Sequence, residues 1–183
     1  MNAHLLYGLA KLKSGAFDQA LDEFQKAAAS PDNIATGRQG SQLLASQLDY
    51  CTGAAYEAMT QRDKARECDQ RNSDRAVSPR WPAAKYYQGL SMRRLGHDEA
   101  AIKLFDEMIR SGRQKTAENE SPDVFAKFGE METLSARTAR DHLSIGLGLL
   151  GKGEKSEARQ ELEQAVKLNA SDVWARYQLG EIR

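Results

Sequence analysis

A glycine and an alanine twelve residues apart recur four times along this 183-residue chain: Gly8 to Ala20, Gly53 to Ala65, Gly89 to Ala101 and Gly146 to Ala158. Such an interval constrains folding more than any single motif, because self-similarity is the signature of a fold assembled from one repeated unit. A second glycine follows three of them, at Gly15, Gly96 and Gly153, and Thr60 stands in that place in the second copy. Further on, Phe24 recurs as Phe105 and Leu162, and Ala27 as Met108 and Ala165. Each copy therefore reads as helix, turn, helix. Only four prolines interrupt the chain, and the long stretches between them are rich in Ala, Leu, Glu, Gln, Lys and Arg, the residues that cost least in a helix. The fold class expected is all-α.

These residues resemble the tetratricopeptide repeat, a helical hairpin of about 34 residues with small residues where its two helices cross. The first, third and fourth copies match well. Tyr177-Gln-Leu-Gly180 looks like the start of a fifth copy, so the segment 171–183 is expected to form a capping helix, with Trp174 and Tyr177 covering the last hairpin. In the second copy Asp69 and Asn72 occupy positions that should be apolar, and its second helix is expected to end near Gln70. The resemblance implies a right-handed α-solenoid over 1–183, with repeats at about 1–30, 42–72, 82–112 and 139–170.

Successive glycines of the repeat lie 45, 36 and 57 residues apart. Two connections are therefore insertions beyond the roughly 34-residue unit. The first, SPDNIATGRQG, carries turn chemistry. The second, 113–136, begins polar and then places Phe125, Phe128 and Met131 on one face of an expected short helix. The positions of these inserts are similar to those in the C-terminal repeat region of large, mainly bacterial tetratricopeptide proteins whose N-terminal domain has no assigned function. That likeness implies a domain of a longer protein.

Charge and composition exclude several functions. Twenty-six basic side chains balance twenty-six acidic ones, so no global field draws the chain to nucleic acid or to an anionic membrane surface. No window approaches the roughly 18 apolar residues of a membrane span, and no leader-like segment opens the sequence, which gives a cytoplasmic expectation. Cys51 and Cys68 have neither disulfide-scaffold nor metal-site spacing and read as reduced and buried. Asn119-Glu-Ser and Asn169-Ala-Ser match the glycosylation triplet without meaning in a cytosolic chain.

Apparent chemical motifs dissolve on the same reading. Gly146 to Gly151 satisfies GxGxxG, and Gly146 to Lys152 satisfies GxxxxGK, but both phosphate motifs need a strand before them, and ARTARDHLSIGLGLL reads as a helix. His4 and His142 hold the same place in their repeats and His97 lies apart, so a shared metal is not expected. Asp22, Glu23, Glu161 and Glu163 sit among Lys and Arg as solvated faces rather than as a general acid and base. Neither catalysis nor a cofactor is expected.

The resemblance implies that the first helices of the hairpins line a concave groove. Its face is represented by Leu5, Leu9 and Leu12, then Tyr50 with Ala54 and Glu57, then Tyr86, Leu90 and Arg93, then Leu143, Leu147 and Leu150. Arg94 and Arg140 are expected to join Arg93 in a polar rim. Lys and Asn, which hold a peptide's terminal carboxylate in chaperone-binding relatives, are replaced here by Leu5 and Leu9. The expected role is a non-enzymatic protein-interaction or scaffolding module that takes a helix or extended segment in this apolar groove. The alternative is a regulatory or substrate-positioning appendage of a larger enzyme, whose groove docks the remainder of its parent chain or a second copy as a homodimer. A third possibility is that the insert 113–136 fills the groove.

Overall fold

The computed structural model describes residues 3–29, 37–78, 80–120 and 133–182. Among them the chain is helical throughout, with α1 (Ala3–Lys13), α2 (Phe17–Ala28), α3 (Gly37–Ala58), α4 (Arg62–Ser73), α5 (Pro82–Arg94), α6 (Asp98–Glu120), α7 (Leu134–Lys152), α8 (Lys155–Leu168) and α9 (Val173–Glu181). They fall into two compact units, Met1–Ala101 and Ile102–Arg183, whose boundary lies inside α6. In the first unit α1 packs on α2, α2 on α3, and α3 and α4 on each other and on α5. In the second, α7 packs on α8 and α8 on α9.

The four tight turns share one geometry. Among the described residues, Gly15, Thr60, Gly96 and Gly153 are those with left-handed φ, at 78°, 61°, 82° and 89°. Each donates its N–H to the carbonyl three residues back, at Leu12, Glu57, Arg93 and Leu150, and the next residue donates to the carbonyl five back, at Lys11, Tyr56, Met92 and Leu149, all at 2.9–3.2 Å. This Schellman arrangement satisfies carbonyls that the ending helix leaves open, and it reverses the chain within a few residues.

The twelve-residue interval spans that turn and places its two ends at the helix crossing. A Cβ built on Gly8 would lie 2.5 Å from the Phe24 ring and 3.3 Å from the Ala20 carbonyl oxygen. On Gly146 it would lie 2.8 Å from Leu162 and 3.3 Å from the Ala158 oxygen, and on Gly53 it would lie 3.4 Å from the Ala65 oxygen. Gly89 and Ala101, the third pair, are both buried. A glycine therefore stands where the return helix comes too near for a side chain.

Several element boundaries differ from the sequence reading. Helix α3 starts at Gly37, inside the stretch read as turn. Helix α6 runs to Glu120 and α7 starts at Leu134, so both ends of the insert 113–136 are helical. The expected helix face of Phe125, Phe128 and Met131 lies outside the described residues. Helix α4 reaches Ser73 rather than stopping near Gln70, where Gln88 Nε2 donates to the carbonyl of its last residue, Ser73, at 2.9 Å and to that of Arg75, just past its end, at 2.8 Å. Side-chain capping of this kind sustains a last turn that its own sequence would abandon. Helix α9 packs on α8; Asp172 accepts from the N–H groups of Trp174 and Ala175, and Trp174 and Tyr177 meet edge to face at 6.2 Å between ring centroids.

Thr60 carries the one identifiable strain in these turns, since a β-branched residue in the left-handed region is unfavourable by roughly 1–2 kcal/mol. Thr60→Gly is expected to raise the unfolding free energy by about 1 kcal/mol in urea titrations, and Gly15→Thr to lower it by a similar amount. Unchanged midpoints in both would refute the assignment of a common turn.

Candidate functional site

The ten residues expected to line the groove separate by depth. Leu5, Leu9, Tyr86, Leu143 and Leu147 are buried, while Leu12, Tyr50, Leu90, Arg93 and Leu150 are half-buried. The inner part of each stripe is thus packing surface. In the first unit the helices that carry it adjoin one another, α1 against α3 and α3 against α5. Tyr50 of α3 lies 5.4 Å from Tyr87 of α5 between ring centroids, and Tyr87 lies the same distance from Tyr86. Leu143, Leu147 and Leu150 belong to α7 in the second unit.

Arg94 corrects the expected polar rim. Its side chain turns inward, Nε donating to Asp69 Oδ2 at 2.8 Å and Nη2 to Asp69 Oδ1 and to the Tyr50 carbonyl at 3.0 Å, while the guanidinium lies 4.3 Å from the centre of the Tyr50 ring. Burial pushes the Tyr50 hydroxyl up from its ordinary pKa, against the opposing pull of Arg94. Arg93 and Arg140 are half-buried. The forked guanidinium matches the carboxylate with two parallel hydrogen bonds, a geometry that lysine lacks.

Asp69 is one part of a polar seam that sequence reasoning noticed without resolving. Asn72 Nδ2 donates to the Tyr87 carbonyl at 3.1 Å and to Ser91 Oγ at 2.9 Å, joining α4 to α5. Asp49 of α3 accepts from Arg71 at 2.8 Å and from Arg75. Asp49, Asp69, Asn72, Gln88 and Ser91 are all buried. The available signal was the polar departure of Asp69 and Asn72 from an apolar pattern. Their partners sit 25 and 19 residues away, and only the α4–α5 packing brings them together.

The phosphate-like motif on α7 has a different explanation. Gly146 admits Leu162 of α8, Gly148 lies against Ile109 and the Phe105 carbonyl of α6, and Gly151 receives the Phe105 ring, to which its Cβ would come within 2.5 Å. All three glycines are interior to one helix and serve its two neighbours. Nearby, a cleft of about 360 Å³ is lined by Asp106, Ile109, Arg110, Arg113, Leu149, Lys152 and Glu154. Lys152 bridges Asp106 at 2.9 Å and Glu154 at 3.2 Å, and those hydrogen bonds hold its ammonium above the ordinary lysine pKa.

Two of the histidines make the same contact in different helix pairs. His4 Nδ1 meets Glu23 Oε2 at 2.8 Å and His142 Nδ1 meets Glu161 Oε2 at 2.7 Å, so that the same pair staples α1 to α2 and α7 to α8. Among the described residues no three His, Cys, Asp or Glu side chains are grouped to hold a metal, and no helix is long and apolar enough to cross a membrane. Cys51 and Cys68 are free and buried, and burial pushes the Cys51 thiol up to about 12, the reverse of nucleophile activation. Comparison with family models, curated proteins and solved structures gives no match to this chain.

Two outcomes are expected. Arg94→Met leaves a buried carboxylate without its counter-charge and should cost about 3–5 kcal/mol in urea unfolding, whereas Asp69→Leu with Arg94→Met should recover most of that loss. A single variant as stable as the native chain would remove the ion pair from the account. The second concerns Glu23, whose carboxyl is held below its ordinary 4.5 by hydrogen bonds from Lys26 first and His4 second. Its contribution is present above 4.5 and is lost as pH falls through the lower folded value. The difference in melting temperature between the native chain and Glu23→Gln should therefore be present at pH 6 and shrink on acidification below 4.5; a difference independent of pH would exclude this linkage.

Proposed function

We propose that this chain is a non-enzymatic protein-interaction or scaffolding module, a tetratricopeptide-like array that takes a partner helix or extended segment along the first helices of its hairpins. The observation carrying the reading is the arrangement of the first unit, in which α1, α3 and α5 adjoin while Leu12, Tyr50, Leu90 and Arg93 remain half-buried. Packed residues beneath hold these four in place, and partly exposed apolar and tyrosyl groups on a rigid base are the usual anchors of a protein interface. Formal neutrality supports recognition by shape and apolar contact rather than by a general field. Two free, buried thiols fit a reducing compartment such as the cytoplasm.

Leu12→Glu with Leu90→Glu tests the proposal. Both positions are half-buried, so the helical circular dichroism spectrum and cooperative melting should persist. Affinity for a partner identified by cross-linking in native lysate and then purified is expected to fall at least about tenfold, the scale of a lost anchor. Unaltered affinity in a folded variant would sink this reading and leave the four residues a structural role.

A further inference from the structure

One side of the 360 Å³ cleft comes from a single face of α6, since Asp106, Ile109, Arg110 and Arg113 stand at i, i+3, i+4 and i+7. The other side is the end of α7, with Leu149 and Lys152, and the turn at Gly153 brings Glu154 to it as well. All these residues belong to the second compact unit. Ile109 and Leu149 are buried and supply aliphatic surface, while Arg110 and Arg113 are exposed.

The charges of the cleft do not cancel. Lys152 engages both of its carboxylates, Asp106 at 2.9 Å and Glu154 at 3.2 Å, and these bonds keep the ammonium protonated. Arg110 and Arg113, by contrast, have no hydrogen-bond or ion-pair partner among the described residues. Three cations thus face two anions that are already taken, in a chain whose total charge is zero. Two guanidiniums are left over.

Their spacing selects the anion. Residues three apart on a helix have Cβ atoms roughly 5–6 Å from each other, so both forks can reach one group. A carboxylate has two oxygens and fills a single fork, whereas a phosphate monoester carries three terminal oxygens and a charge approaching two, enough for both. The volume lies at the lower end of the roughly 300–1,000 Å³ of small-molecule sites, the scale of a small ligand rather than of a helix.

We propose that the cleft between α6 and the end of α7 binds a small organic phosphate monoester, its phosphate held by Arg110 and Arg113 and its carbon substituent lying against Ile109 and Leu149. Lys152 is a positioning residue: it neutralises Asp106 and Glu154, which would otherwise repel the dianion. Recognition rests on side-chain guanidiniums and owes nothing to the GxGxxG pattern of α7. None of Leu143, Leu147 and Leu150 is among the lining residues, so this site stands or falls separately from the interaction surface.

The probe is n-butyl phosphate, titrated calorimetrically into the full chain. Saturable one-site binding is expected, at least about tenfold tighter than for n-butyl sulfate, which has one charge less, or for inorganic phosphate, which has no carbon substituent. Arg110→Gln with Arg113→Gln, both at exposed positions, should abolish it while retaining the native melt. Lys152→Gln should weaken it, and Leu12→Glu with Leu90→Glu should leave it unchanged. The side chains of Asp32, Glu120, Asp123, Glu130 and Glu132 lie outside the described residues. Asp32→Asn, Glu120→Gln, Asp123→Asn, Glu130→Gln and Glu132→Gln combined should not alter the affinity; a gain of about tenfold would mean that the chain's own carboxylates occupy the cleft. That gain, the absence of saturable binding, equal binding of the sulfate, or binding that survives loss of both arginines would each overturn the proposal. So would tighter binding of a phosphoserine peptide than of butyl phosphate, which would place the phosphate on a protein.

Discussion

Close approach of two helices across a side-chain-free glycine is the contact on which the rest of this structure depends. At Gly8, Gly53 and Gly146 the facing backbone is near enough that an added Cβ would meet a carbonyl oxygen at 3.3 or 3.4 Å. That proximity fixes the offset between the two helices of a hairpin, and the Schellman turn between them fixes the number of residues used to get there. Other cross-helix pairs then inherit a set spacing. His4 to Glu23 and His142 to Glu161 are both nineteen residues apart for this reason, and not because either pair determines the fold.

Between hairpins, the same register tolerates chemically unrelated solutions. Phe105 fills the notch left by Gly151, while Asp69 meets Arg94 at the equivalent place. The first solution draws on apolar burial and dispersion, which are indifferent to small rotations. The second must offset the desolvation of two charges, and does so through a bidentate pair supported by the Tyr50 carbonyl and ring. Around it, Asn72, Ser91 and Gln88 exchange directional hydrogen bonds between α4 and α5. A polar seam of this kind penalises sliding more steeply than leucine packing would, because each misplaced donor or acceptor is left unsatisfied in the interior.

Hairpin architecture was legible in the sequence because turn glycines and crossing glycines answer to backbone geometry, which leaves a fixed spacing. Helix ends were less legible. Extension of α4 to Ser73 depends on Gln88, a residue of the next helix, and no local propensity encodes that bond. Arg94 was misread as a rim residue for the same reason: its sequence neighbours place it on an amphipathic surface, whereas its partner Asp69 is 25 residues earlier. The groove stripe was read from helical periodicity, which identifies a shared face but not how deeply each residue on it sits; Leu9 and Leu12 share that face and differ in burial.

Helix α7 shows how local and tertiary preferences are reconciled. Gly146, Gly148 and Gly151 each cost about 1 kcal/mol relative to alanine in a helix interior, so the segment is a poor helix by itself. What offsets that cost is closeness on two sides: Gly146 toward α8, and Gly148 and Gly151 toward α6. Each glycine brings backbone and aromatic surface into contact that a methyl group would hold apart, and the gain exists only when both neighbours are present. The GxGxxG pattern is thus a consequence of a helix sandwiched between two others. It also makes α7 dependent on its flanks, because its glycine faces are covered only by α6 and α8.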